Sequence, residues 1–570
     1  MNDIRRTILW VIFAFSLVLL WDKWQVHNGH KATFFPVPQQ QAAKSPGDAA
    51  SGVPASADGS VPNASAAAGS GGASDVPGAA AGQPVAAVVP RQDVVISSDV
   101  LRLVFDSEGG SLKHAELLTY FDSSKPPQPV VLFDDTATHK YLGQTGLIGG
   151  TFPTHKTPMT AQPGARELKD GQDSVQLRFE SAEVGGVKLV KTYTLKRGAY
   201  DLQVQHDIVN TGTAAVNPRL YMQLVRDNSE SGNQTPFYST FTGPAVYTAE
   251  KKYQKVTFKD IDNNKASVEK TSDSGYVAMV QHYFASAWLL GDGIQRENFV
   301  NKVGGNLYAA GMITPVGTVE PGQTKSVTSR LFAGPQVEPI LESLAPGFEL
   351  VKDYGWLTIM AKPLYWLLSK LHSFIGNWGW SIVALVLLLK IAFYWLNAKA
   401  YSSMAKMKAI NPKIQEMRER LKDKPQQMQQ EMMRIYREEK VNPMGGCLPI
   451  MVQIPVFMAL YWVLQSSVEI RNAPWIGWIH DLSVPDPFFI LPLLMTLSSL
   501  LQTALNPAPP DPMQAKLMWI MPMMFSVMFF FFPAGLVLYW LTNNILSIAQ
   551  QWIINTRMGV PPQFNLPKFK

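Results

Sequence analysis

The chain has 570 residues, a net charge of +6 and a single cysteine, Cys447. That length leaves room for several domains, and so modest a charge gives no ground for direct nucleic-acid specificity. One cysteine excludes an intrachain disulfide and a cysteine-rich metal site. Neither G-x-x-x-x-G-K-[ST], H-E-x-x-H nor G-x-S-x-G occurs, so the usual ATPase, zinc-protease and hydrolase signatures are missing. The expectation is a protein that is not an enzyme, with no catalytic residues, no metal and no cofactor.

Arg5 and Arg6 precede a run from Thr7 to Trp21 that is apolar apart from Thr7 and Ser16. A signal peptide has this shape, but Asp22, Lys23, Trp24 and Gln25 follow in place of a small-residue cleavage site. Residues 1–22 therefore read as an uncleaved transmembrane anchor. Residues 23–92 are dominated by Ala, Gly, Ser and Pro and cannot bury a core, so they read as a flexible tether.

From residue 93 to 345 the period becomes two. Val175, Leu177 and Phe179 alternate with polar residues, as do Leu202, Val204, His206 and Ile208. Turn signals such as Glu108-Gly109-Gly110 and Lys196-Arg197-Gly198 separate the runs. This predicts a large antiparallel β-sandwich. Sugar epimerisation on such a scaffold needs a histidine and a carboxylate for proton transfer. His155, His206 and His282 are present, but their spacing assigns them no role.

Over residues 346–376 the helical period returns. Pro363 suits a first helical position, and Leu364, Leu367, Leu368, Leu371 and Ile375 form one apolar stripe. Lying directly before a span, this segment reads as an amphipathic helix in the membrane surface. The span, residues 377–397, is apolar with one charge, Lys390. Trp378 and Trp380 at one end and Tyr394 and Trp395 at the other place that lysine near mid-depth. It is either a snorkelling lysine near the end of a short span or a lysine facing a wet cavity.

Four more apolar runs follow between 444 and 556, at about 448–463, 488–505, 517–532 and 535–554. Eleven basic residues from Lys399 to Lys440 occupy the segment between the 377–397 span and the first of these runs, and Arg5, Arg6, Arg557, Lys568 and Lys570 mark the two termini. Six spans with both termini in the cytoplasm satisfy the positive-inside rule and put the sandwich outside. The basic loop, 398–443, has a pattern of its own. Asn411 and Pro412 look like a helix start, with Ile410, Ile414, Met417 and Leu421 on one seam; Met428, Met432 and Ile435 follow Pro425 on a second. Two such helices predict an antiparallel hairpin, whose Lys413, Met417, Arg418, Arg420, Met428 and Met432 suit a cytoplasmic docking arm. Residues 557–570 form a cytoplasmic tail.

Within the five C-terminal spans no Asp or Glu accompanies Lys390. Neutral polar residues do: Gln453, Ser498, Ser499, Gln502, Thr542, Asn543, Asn544, Ser547 and Gln550. A proton- or ion-coupled carrier needs mid-membrane carboxylates, whereas an unpaired cation among amides and hydroxyls suits a water-filled groove for a polar or acidic segment in transit.

The stretches KPLYWLLSKLHSFIGNWGWSI (362–382), AYSSMAKM (400–407), VNPMGGCLPIMVQIPVF (441–457), DPMQ (511–514) and FPAGLVLYW (532–540), in that order, resemble the YidC membrane-protein insertase family of the Gram-negative six-span type. The resemblance is dense over about 350–555, weaker over the sandwich and absent in the tether. It implies a helical bundle of six transmembrane helices, five forming the core, with a periplasmic sandwich similar to sugar mutarotases but without known catalysis. It also implies a hydrophilic groove open to cytoplasm and lipid. Lys390, Gln453, Ser499, Gln502, Asn543 and Asn544 fall on that groove, and Val386, Tyr539 and Trp540 on the path that clients contact. Lys390 stands where the family usually has arginine, keeping the charge without the fork. The implied partners are nascent membrane proteins, the Sec translocon (SecYEG and SecDF), the ribosome, the signal recognition particle receptor and membrane lipids, in the bacterial inner membrane. The rival reading is a carrier or channel for a small anion or glycan, with the sandwich as its receptor.

Overall fold

The period-two stretch forms strands over most of its length, with short helices at Phe258–Asp262 and Glu338–Leu344. The computed structural model describes residues 91–557 apart from 123, 125, 230–239, 422–423, 440–447 and 507–511, together with 62, 559 and 564. The expected anchor and nearly all of the tether and tail, with Cys447, lie outside the described residues. Two compact units divide the chain, one ending at Lys352 and the other running on from Asp353.

The first unit is a sandwich of two nine-stranded sheets. In spatial order, one sheet holds Asp93–Ser97, Leu101–Asp106, Ser111–Phe121, Pro129–Asp135, Lys140–Ile148, Arg219–Asp227, Leu307–Pro315, Arg296–Gly304 and Thr271–Ser272. The other holds Lys252–Lys255, Gly243–Thr248, Tyr276–Val280, Phe284–Leu290, Thr324–Pro335, Asp201–Asn210, Val187–Lys196, Ser174–Ser181 and Met159–Ala161. Neighbouring strands pair antiparallel, for example Leu202 with Leu195 and with Leu331. The alternation holds residue by residue: Leu202, Val204, His206 and Ile208 are buried and their neighbours are not. Gly109 and Gly110 both adopt positive φ at the expected turn, and a Cβ on Gly109 would lie 2.1 Å from the His155 carbonyl oxygen.

The inner layer of the sandwich carries polar groups that the alternation alone does not announce. Lys191 is fully buried, and its ammonium donates to the carbonyls of Gly109 (2.6 Å) and Thr145 (2.8 Å). Its cross-strand partner His206 lies 3.0 Å from the Thr145 hydroxyl. His155 meets the Tyr221 hydroxyl at 2.6 Å, and His282 stacks on Tyr283.

The second unit is helical. Its helices are α1 (Thr358–Ile375), α2 (Trp378–Ala392), α3 (Tyr394–Arg420), α4 (Pro425–Glu438), α5 (Leu448–Ser466), α6 (Ile490–Leu505), α7 (Pro512–Phe529) and α8 (Ala534–Arg557). Three expectations are corrected. Pro363 does not start α1; a 3-10 turn, Gly355–Leu357, leads into Thr358, and the proline sits inside the helix. Helix α1 buries Ala361, Leu364, Tyr365 and Leu368 but exposes Ile359 (89%), Trp366 (61%) and Phe374 (87%). The span read as one helix over 377–397 breaks at Phe393, with a 67° bend between its two parts. Asn411 and Pro412 likewise do not start a helix, because α3 runs through both from Tyr394, with the Pro412 ring on the solvent side.

Among the described residues no single helix is long and apolar enough to cross a membrane. The bent pair, Trp378–Ala392 with Tyr394–Met404, passes only when taken together, and Ile490–Leu505 and Ala515–Phe529 are shorter apolar helices. At 1.5 Å per residue the 15 residues of α2 rise about 22 Å. The described residues thus show a bent helix pair where the 377–397 span was read, and α5, α6, α7 and α8 over the four later apolar runs.

The hairpin forms from α3 and α4. Ile410, Ile414 and Met417 are buried, with Leu421, Met428, Met432 and Ile435 packed on them. Lys413 meets Glu439 at 2.6 Å and Arg420 approaches Glu431 at 3.9 Å, the pairing of an antiparallel turn.

Candidate functional site

Helix α2 starts at Asn377, whose side chain accepts the Trp380 N–H at 3.1 Å, and its apolar composition commits it to burial on several faces. Thirteen residues in, Lys390 is only 8% exposed. Its ammonium donates to the Ser547 hydroxyl of α8 at 2.6 Å. A cavity of about 40 Å³ opens beside it. Val386, Leu389 and Lys390 line it from α2, Phe393, Leu396 and Asn397 from the bend and α3. Gln453 and Val456 of α5 and Tyr539 and Asn543 of α8 complete the lining. Among the described residues of the lining Lys390 is the one charged group, and none of them is a carboxylate.

Helix α8 supplies partners in two stripes. Asn543, Ser547 and Gln550, at spacings of four and three, share one face. Asn543 accepts from Gln453 at 2.5 Å, and Gln550 donates to the Lys390 carbonyl (3.2 Å) while accepting from Asn397 (3.2 Å). On the next stripe Asn544 donates to Ser498 (3.0 Å) and Ser499 (2.8 Å), and Gln551 donates to the end of α6. These contacts satisfy polar groups inside an apolar bundle, where each unpaired group is costly.

Of the residues singled out in the sequence, Lys390, Gln453, Asn543, Val386 and Tyr539 come together around the cavity. Ser499 and Asn544 meet instead between α6 and α8, and Gln502 sits half-buried on α6 outside the lining. Trp540 packs edge-on against Phe457, with ring centroids 4.6 Å apart, also outside the lining. The hairpin residues lie on α3 and α4: Met417, Met428 and Met432 in the seam, Lys413 and Arg420 exposed and Arg418 half-buried. Sequence reading named Ser547 and Gln550 among the polar residues of the bundle but did not single them out for the site, and it missed Asn397. The four-and-three spacing from Asn543 was the available signal for Ser547 and Gln550.

The end of the bundle near Asn377 is tied shut. Asn377 donates to the carbonyls of Pro474 and Trp475 at 3.1 and 3.3 Å. The Ala534 and Gly535 amides at the start of α8 donate to Val484 and Leu482 of the same loop. Asp486 then accepts from the Trp478 indole at 3.0 Å and from the Leu491 amide at 2.7 Å, anchoring the loop to α6.

Comparison with known proteins places both units. The family described as "YidC periplasmic domain" matches residues 93–367, and the family described as "60Kd inner membrane protein" matches residues 370–560. A protein of Cupriavidus taiwanensis named membrane protein insertase YidC is 56% identical over 98% of both chains. The chain belongs to the YidC family. A second member, from Janthinobacterium sp., carries the same name and is 52% identical, covering 98% of this chain and 100% of its own. A solved structure titled as an active YidC insertase with its first transmembrane domain resolved is 20% identical, with a TM-score of 0.37, covering 81% of this chain and 92% of that one. The family's models, one named for a periplasmic domain and one for an inner membrane protein, divide this chain close to where the sandwich gives way to helices. The rival reading, a carrier or channel for a small solute, finds no support among these YidC relatives.

Proposed function

We propose that this chain is a membrane protein insertase of the bacterial inner membrane, whose clients are nascent membrane proteins. The observation that carries the reading is the cavity beside Lys390: one cation, hydroxyl and amide partners, and no carboxylate among the described residues of the lining. A short polar or acidic tail entering such a groove keeps hydrogen-bonding partners and one favourable charge, which lowers the cost of leaving water. The client's apolar segment then moves into lipid, driven by its own burial at roughly 25 cal/mol per Å². No nucleotide is required.

In this reading the anchor and the apolar helices make six spans with both termini in the cytoplasm and the sandwich in the periplasm. The eleven basic residues of the 398–443 segment support that orientation. Helix α2, about 22 Å long against a hydrocarbon core of roughly 30 Å, favours a locally thinned bilayer. Lys390 with Gln453, Asn543, Asn544, Ser499 and Gln502 forms the hydrophilic surface; Val386, Tyr539 and Trp540 line the client's exit. The tied loop 471–486 closes the periplasmic end. The exposed Ile359, Trp366 and Phe374 support a position for α1 in the membrane surface. The hairpin, through Lys413, Arg418, Arg420 and its methionines, meets the incoming chain, the ribosome or the signal recognition particle receptor, and the protein works alone or beside the Sec translocon.

Purified protein in liposomes, supplied with a small single-span client and no ATP, tests the reading. Protease protection of the client's tail is the expected result. Failure across several such clients would sink it.

A further inference from the structure

The bend at Phe393 has no cause in its own sequence. Sharp helix kinks come from proline, from glycine or serine pairs, from π-bulges, or from a group inserted into the backbone ladder. Between Ser381 and Asn411 there is no proline or glycine, and the paired serines, Ser402 and Ser403, lie well beyond the break. What stands at the bend is Gln550. In a continuous helix the Lys390 carbonyl would accept the Tyr394 N–H; here the Phe393 N–H closes the last regular turn onto Leu389, and the Lys390 carbonyl accepts from the Gln550 amide. The same side chain accepts from Asn397 on the far side of the break. One turn earlier, Ser547 takes the Lys390 ammonium and is also reached by Tyr401 of α3.

We infer that Gln550 is a positioning residue that clamps the α2–α3 bend, and so sets both where Lys390 presents its charge and the direction in which the hairpin leaves the bundle. A single amide satisfies one carbonyl freed by the break and one side chain beyond it, with donor and acceptor both used. Inside an apolar bundle such broken backbone persists only where another group completes its hydrogen bonds. Removing the clamp favours the continuous helix, which satisfies the Lys390 carbonyl from within. Straightening carries Phe393, Leu396 and Asn397, half of the cavity lining contributed by these two helices, away from Lys390. The inference rests on the insertase reading for its consequence, though not for its geometry.

The test has two arms, both on the full chain in a Cys447→Ser background. Spin labels on Leu387→Cys of α2 and Glu419→Cys of α3, both exposed positions, report the bend by pulsed distance measurement in lipid nanodiscs. One narrow distribution is expected with Gln550, and a shift to longer, broader separations with Gln550→Leu. Asn397→Ala, which removes a single bond, should move the same way by less and adds little to Gln550→Leu. If Gln550→Leu fails to fold, Asn397→Ala carries the measurement alone. Unchanged distances in the folded variant overturn the clamp. In the second arm, client insertion at matched protein levels should fall roughly fivefold with Asn397→Ala, the size of one lost hydrogen bond, and further with Gln550→Leu, which loses two. That loss should concentrate on acidic-tailed clients. Equal loss across neutral and acidic tails marks a packing defect and overturns the positioning role. Absence of insertion by the unsubstituted chain sinks the insertase reading and leaves the distance arm to judge the clamp.

Discussion

The Lys390 ammonium donates to the Ser547 hydroxyl at 2.6 Å, across 157 positions of chain. The cavity's cation is thus held by a neutral partner on the opposite helix. A carboxylate would fix the charge in a pair and hide it from a client; a hydroxyl orients it and leaves it uncompensated.

That geometry separates charge from shape at position 390. Lys390→Arg should insert clients normally, because no carboxylate demands or forbids a guanidinium fork. Lys390→Ala should impair acidic-tailed clients most, and Lys390→Glu more still, since it repels the tails that lysine attracts. A snorkelling lysine predicts the opposite for alanine, because losing a stray cation favours the span's own insertion. Client insertion at matched protein levels decides, and equal activity of Ala and Arg across acidic tails would remove the charge from the mechanism.

Closure of the bundle's far end depends on a glycine. A Cβ on Gly379 would lie 2.2 Å from Trp475 Cδ1 and 2.4 Å from its Cγ. Gly379→Ala should therefore push the indole out of its seat and cost about 1–3 kcal/mol, the range for overpacking. Thermal stability of the detergent-solubilised protein should fall, and the cost should largely vanish in a Trp475→Ala background. A penalty that persists there would place the strain elsewhere.

Where a residue's neighbours along the chain decide its state, the sequence was readable. Alternation placed Leu202, Val204, His206 and Ile208 inward, and the 4-3-4 seam of Ile410, Ile414, Met417 and Leu421 paired with Met428 and Met432 as expected. Illegible features depend on a distant partner. The break at Phe393 is made by Gln550, 157 residues on, and nothing between 381 and 411 reports it. Pro363 and Pro412 look like starts but lie inside helices, because one missing N–H is tolerated where the freed carbonyl finds solvent or a 3-10 turn already leads in. In the groove, Lys390 announced itself as a lone charge in an apolar run. Which polar groups would face it depended on how α8 turns against α2, so Ser547 and Gln550 were noted among the polar residues without being singled out, while Gln502 and Trp540, which were, lie outside the cavity lining.

The sandwich has its own titration. Burial pulls the Lys191 ammonium down to about 7, and burial together with the neighbouring Lys191 charge pulls His206 to about 3. Both are bases lowered on folding, so the unfolded chain binds the extra proton between the folded and unfolded values. For Lys191 that window runs from about 7 to the usual lysine value near 10.4; stability from this group rises with pH across it, by at most about 1.4 kcal/mol per unit, and is flat below. For His206 stability falls as pH drops from about 6.5 towards 3. Thermal unfolding of the isolated 93–345 segment should show both slopes. Lys191→Met should flatten the alkaline one, and an alkaline slope that survives the substitution would assign it to another group.

The hairpin and the sandwich should divide sharply in importance. The hairpin's ion pairs, Lys413 with Glu439 and Arg420 with Glu431, are mostly exposed and contribute little, about 0–1 kcal/mol each. Its seam holds it: Ile414 is fully buried, and Ile414→Asp puts an unpaired carboxylate among Met417, Met428 and Met432. The two helices should then splay, lowering insertion while the bundle remains assembled. Deleting residues 413–439 should abolish insertion outright, yet leave α3 intact up to Pro412 and with it the bend at Phe393. Deleting residues 94–323 removes most of the sandwich and none of the cavity lining, so insertion should largely survive. Complementation of a depletion strain with each deletion, checked for equal membrane levels, reads out the comparison. A lethal sandwich deletion beside a harmless hairpin deletion would mean that clients are handled on the periplasmic side, and the groove mechanism would have to be abandoned.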